Sequence, residues 1–447
     1  MRDTVYKNYL LTVLLFISAF NNVDRNALGI VLQDMKVDLS LSDTQLGFLS
    51  GMAFALFYAV MGVPIGRWAD TGNRVRIISL TAVLWSATVA LCGAAGNFIQ
   101  LLVIRIGVAV GEAGCLPPAL SLIADYFNRA ERARAVSRYM LHGPLAFIIG
   151  YCATGWLSQS FGWRMTFVFL GVPGFALAAI AWGTLREPRQ LTGPVGSTQT
   201  EKTDAATSSA AAPKFKEVFR VLWANAAFRH LLFCHSVWYF FGYGLLQWEP
   251  TFFVRSHGLT NGEIGTWFAL IYGIGGGLGL YLGGEFASRF APGNERLQLQ
   301  AGAVAFAVFA VVTAGAFVVT NYYLAFAALA LAAVGGCMAQ GPLLGTLQTL
   351  VPSRMRATSI ATIYLFANLI GLGLGPLAAG ALSDAFQPWI GQESIRYALI
   401  ALCPGYFWAA WHLWAAGKTV ARDLREVQAE EATVEDTNVR SEVNVVY

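Results

Sequence analysis

The chain has 447 residues, of which 56% are hydrophobic and only 13% are charged, about half of the usual ~25% in soluble domains. A soluble protein of this length would form two or three domains and would need more charged residues to cover their surfaces. The composition therefore excludes a soluble protein and indicates a polytopic protein embedded in a lipid bilayer. The formal net charge is only +4, and no nucleic-acid partner is expected.

Apolar windows of about 20 residues predict twelve membrane-spanning helices, numbered here spans 1 to 12. In chain order they cover approximately residues 8–32, 44–66, 77–95, 99–123, 136–157, 164–185, 228–253, 262–287, 298–319, 322–349, 358–382 and 394–416. A long joint rich in Ser, Thr and Ala separates the first six spans from the last six. The predicted fold class is all-α integral membrane, with six-helix bundles at 1–188 and 227–418, a cytoplasmic linker at 189–226 and a cytoplasmic tail at 419–447.

Positive charges lie mainly on one side of these spans. If the N-terminus is cytoplasmic, twenty-four of the thirty Lys and Arg residues fall on the cytoplasmic side, and the four on the opposite side are Lys36, Arg164, Arg255 and Arg396. Because cytoplasmic loops carry the excess of Lys and Arg, we predict that both termini are cytoplasmic. Short loops and the lack of a targeting signal favour the inner membrane of a bacterial cell.

Two short patterns recur at equivalent joints of the two halves. The sequence RARAVS at 132–137 follows span 4, and RMRATS at 354–359 follows span 10. Span 2 ends in GRWAD at 66–70, and span 8 ends in GEFAS at 284–288. These matches indicate a duplicated six-span unit, an arrangement that is typical of transporters.

Span 1 contains an unusual polar stretch, NNVDRN at 21–26, with an acid, a base and three amides. A charged side chain at bilayer depth costs about 2.5–3.5 kcal/mol on the more lenient insertion scale. Such residues usually face a bundle interior or a watery cavity and mark the path of a substrate or an ion. We therefore expect this stretch to border a transport pathway, with Asn21 among the residues that bind the substrate.

Two carboxylates and two cations fall well inside the predicted spans: Asp24 and Arg25 in span 1, and Arg105 and Glu112 in span 4. The two residues of span 4 are seven apart and hence lie on one face of a helix. In a low dielectric the charged form of a carboxylate is disfavoured unless a cation compensates it. A carboxylate that alternately pairs with Arg and takes up a proton would couple transport to a proton gradient.

Asp24 and Glu112 are therefore the candidates for proton coupling. The alternative is a static buried ion pair that only pins two helices together. Arg25 and Arg105 are also candidates for binding an anionic group of the substrate, because a guanidinium group matches carboxylates and phosphates.

The order of motifs along the chain resembles that of the major facilitator superfamily. The sequence GRWADTGNRVR at 66–76 is similar to the signature loop between spans 2 and 3, although Thr71 stands where a basic residue is common. Arg105 matches the membrane arginine of the superfamily, and Gly143-Pro144 partly matches its glycine–proline motif in span 5.

Further stretches resemble the Spinster-like branch, the branch of lysolipid and sphingosine-phosphate transporters. They are RIGVAVGEAGCLPP at 105–118, ADYF at 124–127 and NLIGLGLGP at 368–376. The pair Asp24-Arg25 also recurs in related anion:proton symporters. The resemblance implies that spans 1 and 4 line a central pathway and that the substrate is an amphipathic or lipid-like anion.

The resemblance also implies a cytoplasmic gate formed by Gly66, Asp70, Arg74 and Arg76, which closes the cytoplasmic side in the outward-open state. The alternative interpretation of this cluster is ordinary positive charge on the cytoplasmic side together with a capping Asp.

The remaining polar residues suggest neither a metal nor a cofactor. The six cysteines and the membrane histidines His142 and His235 lack metal-ligand spacing, and the histidines are packing residues or a proton relay. Glu249 precedes a proline and is expected to mark a kink near the outer end of span 7, with a contact to ligand or water. The sequence GKT at 417–419 follows a span rather than a strand, so it cannot form a phosphate-binding loop.

Together these features predict a monomeric secondary active transporter that works by alternating access, is coupled to protons and carries an amphipathic or lipid-like anion. The alternative is a proton symporter of small organic anions such as sugar acids. An integral-membrane enzyme is not expected, because the sequence offers no nucleophile–base set and no metal cluster.

Overall fold

The computed structural model describes residues 2–188, 222–351 and 355–445, and this part of the chain consists of helices joined by short connections, with no strand. Eight helical segments of the described residues are long and apolar enough to cross a membrane. Two of them, 134–184 and 359–427, have 51 and 69 residues and can each cross twice, because one crossing takes about 20 residues. The helices that contain spans 1 and 7 complete the predicted set of twelve.

The first half begins with one long helix and ends with another that is broken in the middle. Its helices are Arg2–Leu39 for span 1, Asp43–Ser50 and Met52–Thr71 for span 2, Arg74–Cys92 for span 3, Phe98–Glu112 and Leu116–Tyr126 for span 4, and Arg129–Met140 and His142–Thr184 for spans 5 and 6. The break between spans 5 and 6 falls at Gly162, whose φ of 76° is left-handed and favours glycine.

Two π-helical turns lie within the spans of the second half, as far as the structure describes that half. Its helices are Ala226–His257 for span 7; Asn261–Phe268, the π turn Ala269–Gly275 and Gly276–Phe290 for span 8; Glu295–Val318 for span 9; Tyr322–Met338 and Gln340–Thr349 for span 10; Arg356–Phe366, the π turn Ala367–Leu372 and Gly373–Ile390 for span 11; and the 3₁₀ turn Gly391–Glu393, Ser394–Leu402 and Gly405–Val445 for span 12.

The predicted cytoplasmic tail and the predicted linker are not delimited by the helix boundaries that the structure describes. The predicted tail from residue 419 continues the last helix without a break as far as Val445. The predicted linker at 189–226 lies, up to residue 221, outside the described part of the chain. The boundaries between bundles, linker and tail therefore stay predictions.

Equivalent spans of the two halves begin with the same kind of N-cap. A capping box, in which a hydroxyl residue and the side chain three residues later satisfy each other's backbone N–H groups, opens both span 2 and span 8. Spans 3, 4, 9 and 10 each begin with an Asn whose side chain accepts a hydrogen bond from a backbone N–H group of the first turn. The paired caps are Ser42 and Thr260, Asn73 and Asn294, and Asn97 and Asn321. Their agreement supports the duplication inferred from the repeated joints.

The two halves touch closely on the side of the protein away from the termini. An added Cβ at Gly47 of span 2 would lie 2.4 Å from the carbonyl oxygen of Pro376 in span 11. One at Gly155 of span 5 would lie 2.4 Å from the carbonyl oxygen of Asn261 in span 8. Since only glycine permits such an approach, the backbones of these spans pack against each other directly.

Candidate functional site

The four ionisable residues of spans 1 and 4 form two crossed ion pairs. Arg105 Nη1 donates to Asp24 Oδ2 at 2.7 Å. Arg25 Nε donates to Glu112 Oε2 at 2.7 Å, and Arg25 Nη2 lies 2.5 Å from the same oxygen. Each pair thus joins span 1 to span 4, and neighbouring residues of span 1 take different partners. The structure brings together all four residues that the sequence singled out.

The two pairs differ in their access to solvent. The side chains of Asp24, Arg105 and Glu112 are at most 2% exposed, whereas that of Arg25 is 23% exposed. The Arg25 guanidinium lies over the rings of Phe54 and Tyr58 of span 2, at 4.5 and 4.8 Å from the centroids. Arg25 is therefore the cation of this site that a ligand can reach, while Arg105 is enclosed with its partner.

The carboxyl groups of this site are incompletely satisfied. Oδ1 of Asp24 and Oε1 of Glu112 are buried and have no hydrogen-bond partner among the described residues. The Glu112 carboxyl also lies within hydrogen-bonding range of that of Asp24. A buried acceptor without a donor costs about 1–3 kcal/mol, and one proton placed between two carboxyl groups removes this cost. The arrangement can hold a proton.

The three amides of the polar stretch have different surroundings. Asn21 is 6% exposed. Asn22 Nδ2 donates to the Ser18 carbonyl at 2.8 Å, and Asn26 Nδ2 donates to the Ala146 carbonyl of span 5 at 3.3 Å. Asn26 thus helps to hold span 5 beside the ion pairs, a packing role that the sequence did not indicate.

The predicted gate residues divide into one buried and several accessible ones. Arg74 is 0% exposed and lies 2.6 Å from Asp125 Oδ2. Its backbone N–H donates to Glu187 Oε2 at 2.7 Å, and its guanidinium forms further bonds to the same carboxylate. Asp70 and Arg76 are exposed, and Gly66 is half-buried. The contacts of Arg74 therefore tie spans 3 and 4 to the end of span 6, all within the first half.

Glu187 was not singled out from the sequence. The available signal was an acidic residue directly after span 6 on the side rich in Lys and Arg. Asp125 entered only as part of a family motif.

A second charged cluster, also missed from the sequence, joins the halves on the side away from the termini. Asp43, the first residue of span 2, accepts hydrogen bonds from Arg255 of span 7, Lys36 of span 1 and Ser383 of span 11. Lys36 and Arg255 are two of the four basic residues placed on this side by the sequence, which is the signal that could have revealed it.

The two histidines that the sequence singled out, His142 and His235, both lie beside tyrosine rings. His235 of span 7 is 1% exposed, and its ring centroid lies 4.5 Å from that of Tyr239, with the two rings tilted by 31°. Neither of its ring nitrogens has a hydrogen-bond partner among the described residues. His142 lies 5.1 Å from the ring of Tyr139. A group of three or more potential metal ligands is not found within the described residues.

A helical membrane fold in two halves, with acid–base pairs enclosed between spans 1 and 4, defines a membrane transport protein. The family model described as Major Facilitator Superfamily matches residues 14–376. The chain belongs to this superfamily.

Individual relatives agree with this assignment. The chain is 31% identical over 415 residues to an MFS-type efflux pump of Mycolicibacterium smegmatis, with 93% of both chains covered. It is 25% identical over 394 residues to a probable L-galactonate transporter of Escherichia coli, which covers 87% of this chain and 84% of that protein.

A solved structure is similar over nearly the whole chain. The crystal structure of a bacterial homolog to the human lysosomal transporter Spinster, in an inward-facing and unoccupied conformation, superposes with a TM-score of 0.83. It is 31% identical and covers 94% of this chain and 98% of that one. The predicted major facilitator fold and the resemblance to the Spinster-like branch are confirmed, and the protein is a multi-pass membrane transporter rather than an enzyme.

Proposed function

We propose that this protein is a proton-coupled secondary active transporter that moves an amphipathic or lipid-like anion by alternating access. The observation that carries the proposal is the pair Arg25–Glu112, in which a buried carboxylate holds a partly exposed cation at 2.5 Å. In such a pair, protonation of the carboxylate decides whether the cation is free to bind an anion.

The coupling follows from charge balance. When Glu112 takes up a proton, it becomes neutral and Arg25 loses its counter-ion. The guanidinium group then binds an anionic group of the substrate, as Arg binds carboxylates and phosphates. Protonation and anion binding therefore favour each other, which is a coupling free energy between two sites. Asp24, within hydrogen-bonding range of Glu112, provides the second oxygen for the same proton.

Alternating access is supported by where the halves meet. Spans 2 and 11, and spans 5 and 8, are in close contact on the side away from the termini. We propose that both termini are cytoplasmic, as the charge distribution favours, and that the protein is a monomer in the inner membrane. The conformation described here is then inward-facing, like that of the similar Spinster homolog.

The surroundings of Arg25 support an amphipathic substrate. Tyr58 lies beside its guanidinium, and Tyr243 of span 7 lies near it in the other half. The ring centroid of Tyr243 lies 5.3 Å from that of Tyr239, and the centroid of Tyr239 lies 6.4 Å from that of Tyr364 in span 11. One accessible cation beside neutral aromatic side chains suits a single anionic group attached to an apolar body.

The second candidate is a proton symporter of small organic anions such as sugar acids. The similarity to the probable L-galactonate transporter favours it. The phenol hydroxyl groups of the same tyrosines are also able to bind the hydroxyl groups of a sugar acid.

A thermal-shift screen of lysolipids against sugar acids separates the two, because a ligand stabilises the state that it binds. Uptake of the stabilising compound is then measured in proteoliposomes under an imposed pH gradient. Asp24→Asn and Glu112→Gln should abolish proton-driven uptake and retain substrate exchange. Glu131→Gln, an exposed carboxylate of the same half, is the matched control. Driven uptake that persists unchanged in both site variants would contradict the coupling.

A further inference from the structure

A third buried carboxylate lies in the second half, away from the crossed ion pairs. Glu249 of span 7 is 3% exposed. It accepts a hydrogen bond from the hydroxyl group of Tyr272 in span 8. Within the described residues, no Lys, Arg or His lies within ion-pair distance of its carboxyl group. Ionisable residues inside a membrane protein are costly to keep and usually functional.

Tyr272 connects this carboxyl group to the first half. It belongs to the π turn Ala269–Gly275, and such turns occur frequently at functional sites because they redirect side chains. Its ring lies 6.2 Å from that of Phe147 and 6.1 Å from that of Tyr151, both in span 5. The donor to Glu249 is thus part of the closed contact between spans 5 and 8.

Among the described residues, the titratable groups that face Glu249 are three phenols and a thiol, which are neutral at ordinary pH. They are Tyr272, Tyr151, Cys403 and Tyr406, which come from spans 8, 5 and 12. A charged carboxylate in this setting has lost its hydration and gains one hydroxyl donor and no cation in return. Its neutral, protonated form avoids that loss.

We propose that Glu249 is a second proton-binding site, whose occupancy is linked through Tyr272 to closure of the two halves. The proton comes from water and bonds to the carboxyl oxygen that does not accept the hydrogen bond from Tyr272. Glu249 precedes Arg255, the residue of span 7 that donates to Asp43, by six residues, or about 9 Å along the helix. Separation of spans 5 and 8 therefore admits water to Glu249 and allows the proton to leave.

This inference rests on the proposed proton-coupled transport but is tested without a substrate. Infrared spectroscopy of the purified protein in H₂O and D₂O detects protonated carboxyl groups directly. We expect a band at mildly acidic pH with a component that is lost in Glu249→Gln and shifts in frequency in Tyr272→Phe, which removes the hydrogen bond, while any component from Asp24 and Glu112 stays. Glu426→Gln, an exposed carboxylate on the last helix, should leave the band unchanged.

Spectra of the wild type, Glu249→Gln and Tyr272→Phe that coincide from acidic to alkaline pH would overturn the inference, because Glu249 would then be ionised throughout. Tyr272→Phe keeps the carboxyl group and gives a result even if Glu249→Gln does not fold. A failure of the proposed function shows separately, as proton-driven uptake that survives Asp24→Asn and Glu112→Gln while the Glu249 band is present.

Discussion

Arg255 and Asp43 form a buried, bidentate ion pair between the two halves of the protein. Arg255 Nη1 donates to Asp43 Oδ2 at 2.8 Å, and Nη2 donates to Oδ1 at 2.7 Å. Their side chains are 4% and 2% exposed. Lys36 adds a third bond at 2.7 Å, so one carboxylate holds two cations from spans 1 and 7. This geometry is both strong and directional.

A second carboxylate at the same place belongs to the second half and binds the first half. Asp384 of span 11 accepts hydrogen bonds from the backbone N–H groups of Asp43 and Thr44, at 3.0 and 2.7 Å. A side chain of the second half thus satisfies the free N–H groups at the start of a helix of the first half. The two contacts make the side away from the termini a polar gate that must break when that side opens.

The first prediction is that Asp43→Asn opens this gate. The substitution leaves Arg255 and Lys36 without their counter-ion, and removing one partner of a buried pair costs about 3–5 kcal/mol. The cost is relieved when the halves separate and water reaches the cations. Spin labels at Val37→Cys and Trp389→Cys, positions 71% and 80% exposed, should move apart when measured by electron–electron double resonance.

Asp38→Asn is the control for this experiment. Asp38 pairs with Arg164 at 2.8 Å, but both side chains are about 40% exposed or more, and such surface pairs contribute about 0–1 kcal/mol. An identical distance distribution in Asp43→Asn and Asp38→Asn would show that the ion pair does not hold the gate.

The second prediction concerns Gly47. An alanine there would place its Cβ 2.4 Å from the backbone oxygen of Pro376, which cannot move without shifting span 11. Overpacking of this kind costs about 1–3 kcal/mol, so Gly47→Ala should disfavour the closed gate and slow transport about tenfold. Gly62→Ala lies in the same span with no heavy atom within 4 Å, and it should behave like the wild type. Equal transport rates in the two variants would show that the close contact between Gly47 and Pro376 does not contribute to closing the gate.

The third prediction is that Arg74 stabilises the first half more than its neighbour Arg76. Arg74→Ala removes a fully buried guanidinium from Asp125 and Glu187, with an expected loss of about 3–5 kcal/mol. Arg76→Ala changes an exposed side chain and should stay within about 0.5 kcal/mol. The readout is thermal unfolding in detergent at fixed lipid content. Comparable melting temperatures for the two variants would argue against Arg74 as a structural centre.

The fourth prediction is a pH dependence of substrate binding. Because protonation of Glu112 removes the counter-ion of Arg25, affinity for the anion should rise as the pH falls. In Glu112→Gln the carboxylate can no longer compete, so affinity should be high and independent of pH. Titration calorimetry with the ligand found in the screen measures both. Wild-type affinity that stays constant or falls on acidification would contradict the coupling at this pair.

Much of the architecture was determined by the sequence itself. The twelve spans were predictable because apolar length is a local property of each helix. Asp24, Arg25, Arg105 and Glu112 stood out because charge inside an apolar helix is visible without knowing the fold. The repeated joints predicted a duplication, which the matching N-caps of equivalent spans support.

Only the tertiary structure decided which groups meet. Asp24 and Arg25 are adjacent in sequence and were both expected near span 4, yet only the packing of the two helices assigns Arg105 to one and Glu112 to the other. The gate between Asp43 and Arg255 and the isolation of Glu249 likewise depend on how the two halves approach each other. Helix formation in a membrane is governed by local hydrophobicity, whereas ion pairing and burial are governed by the distances between residues far apart in the chain.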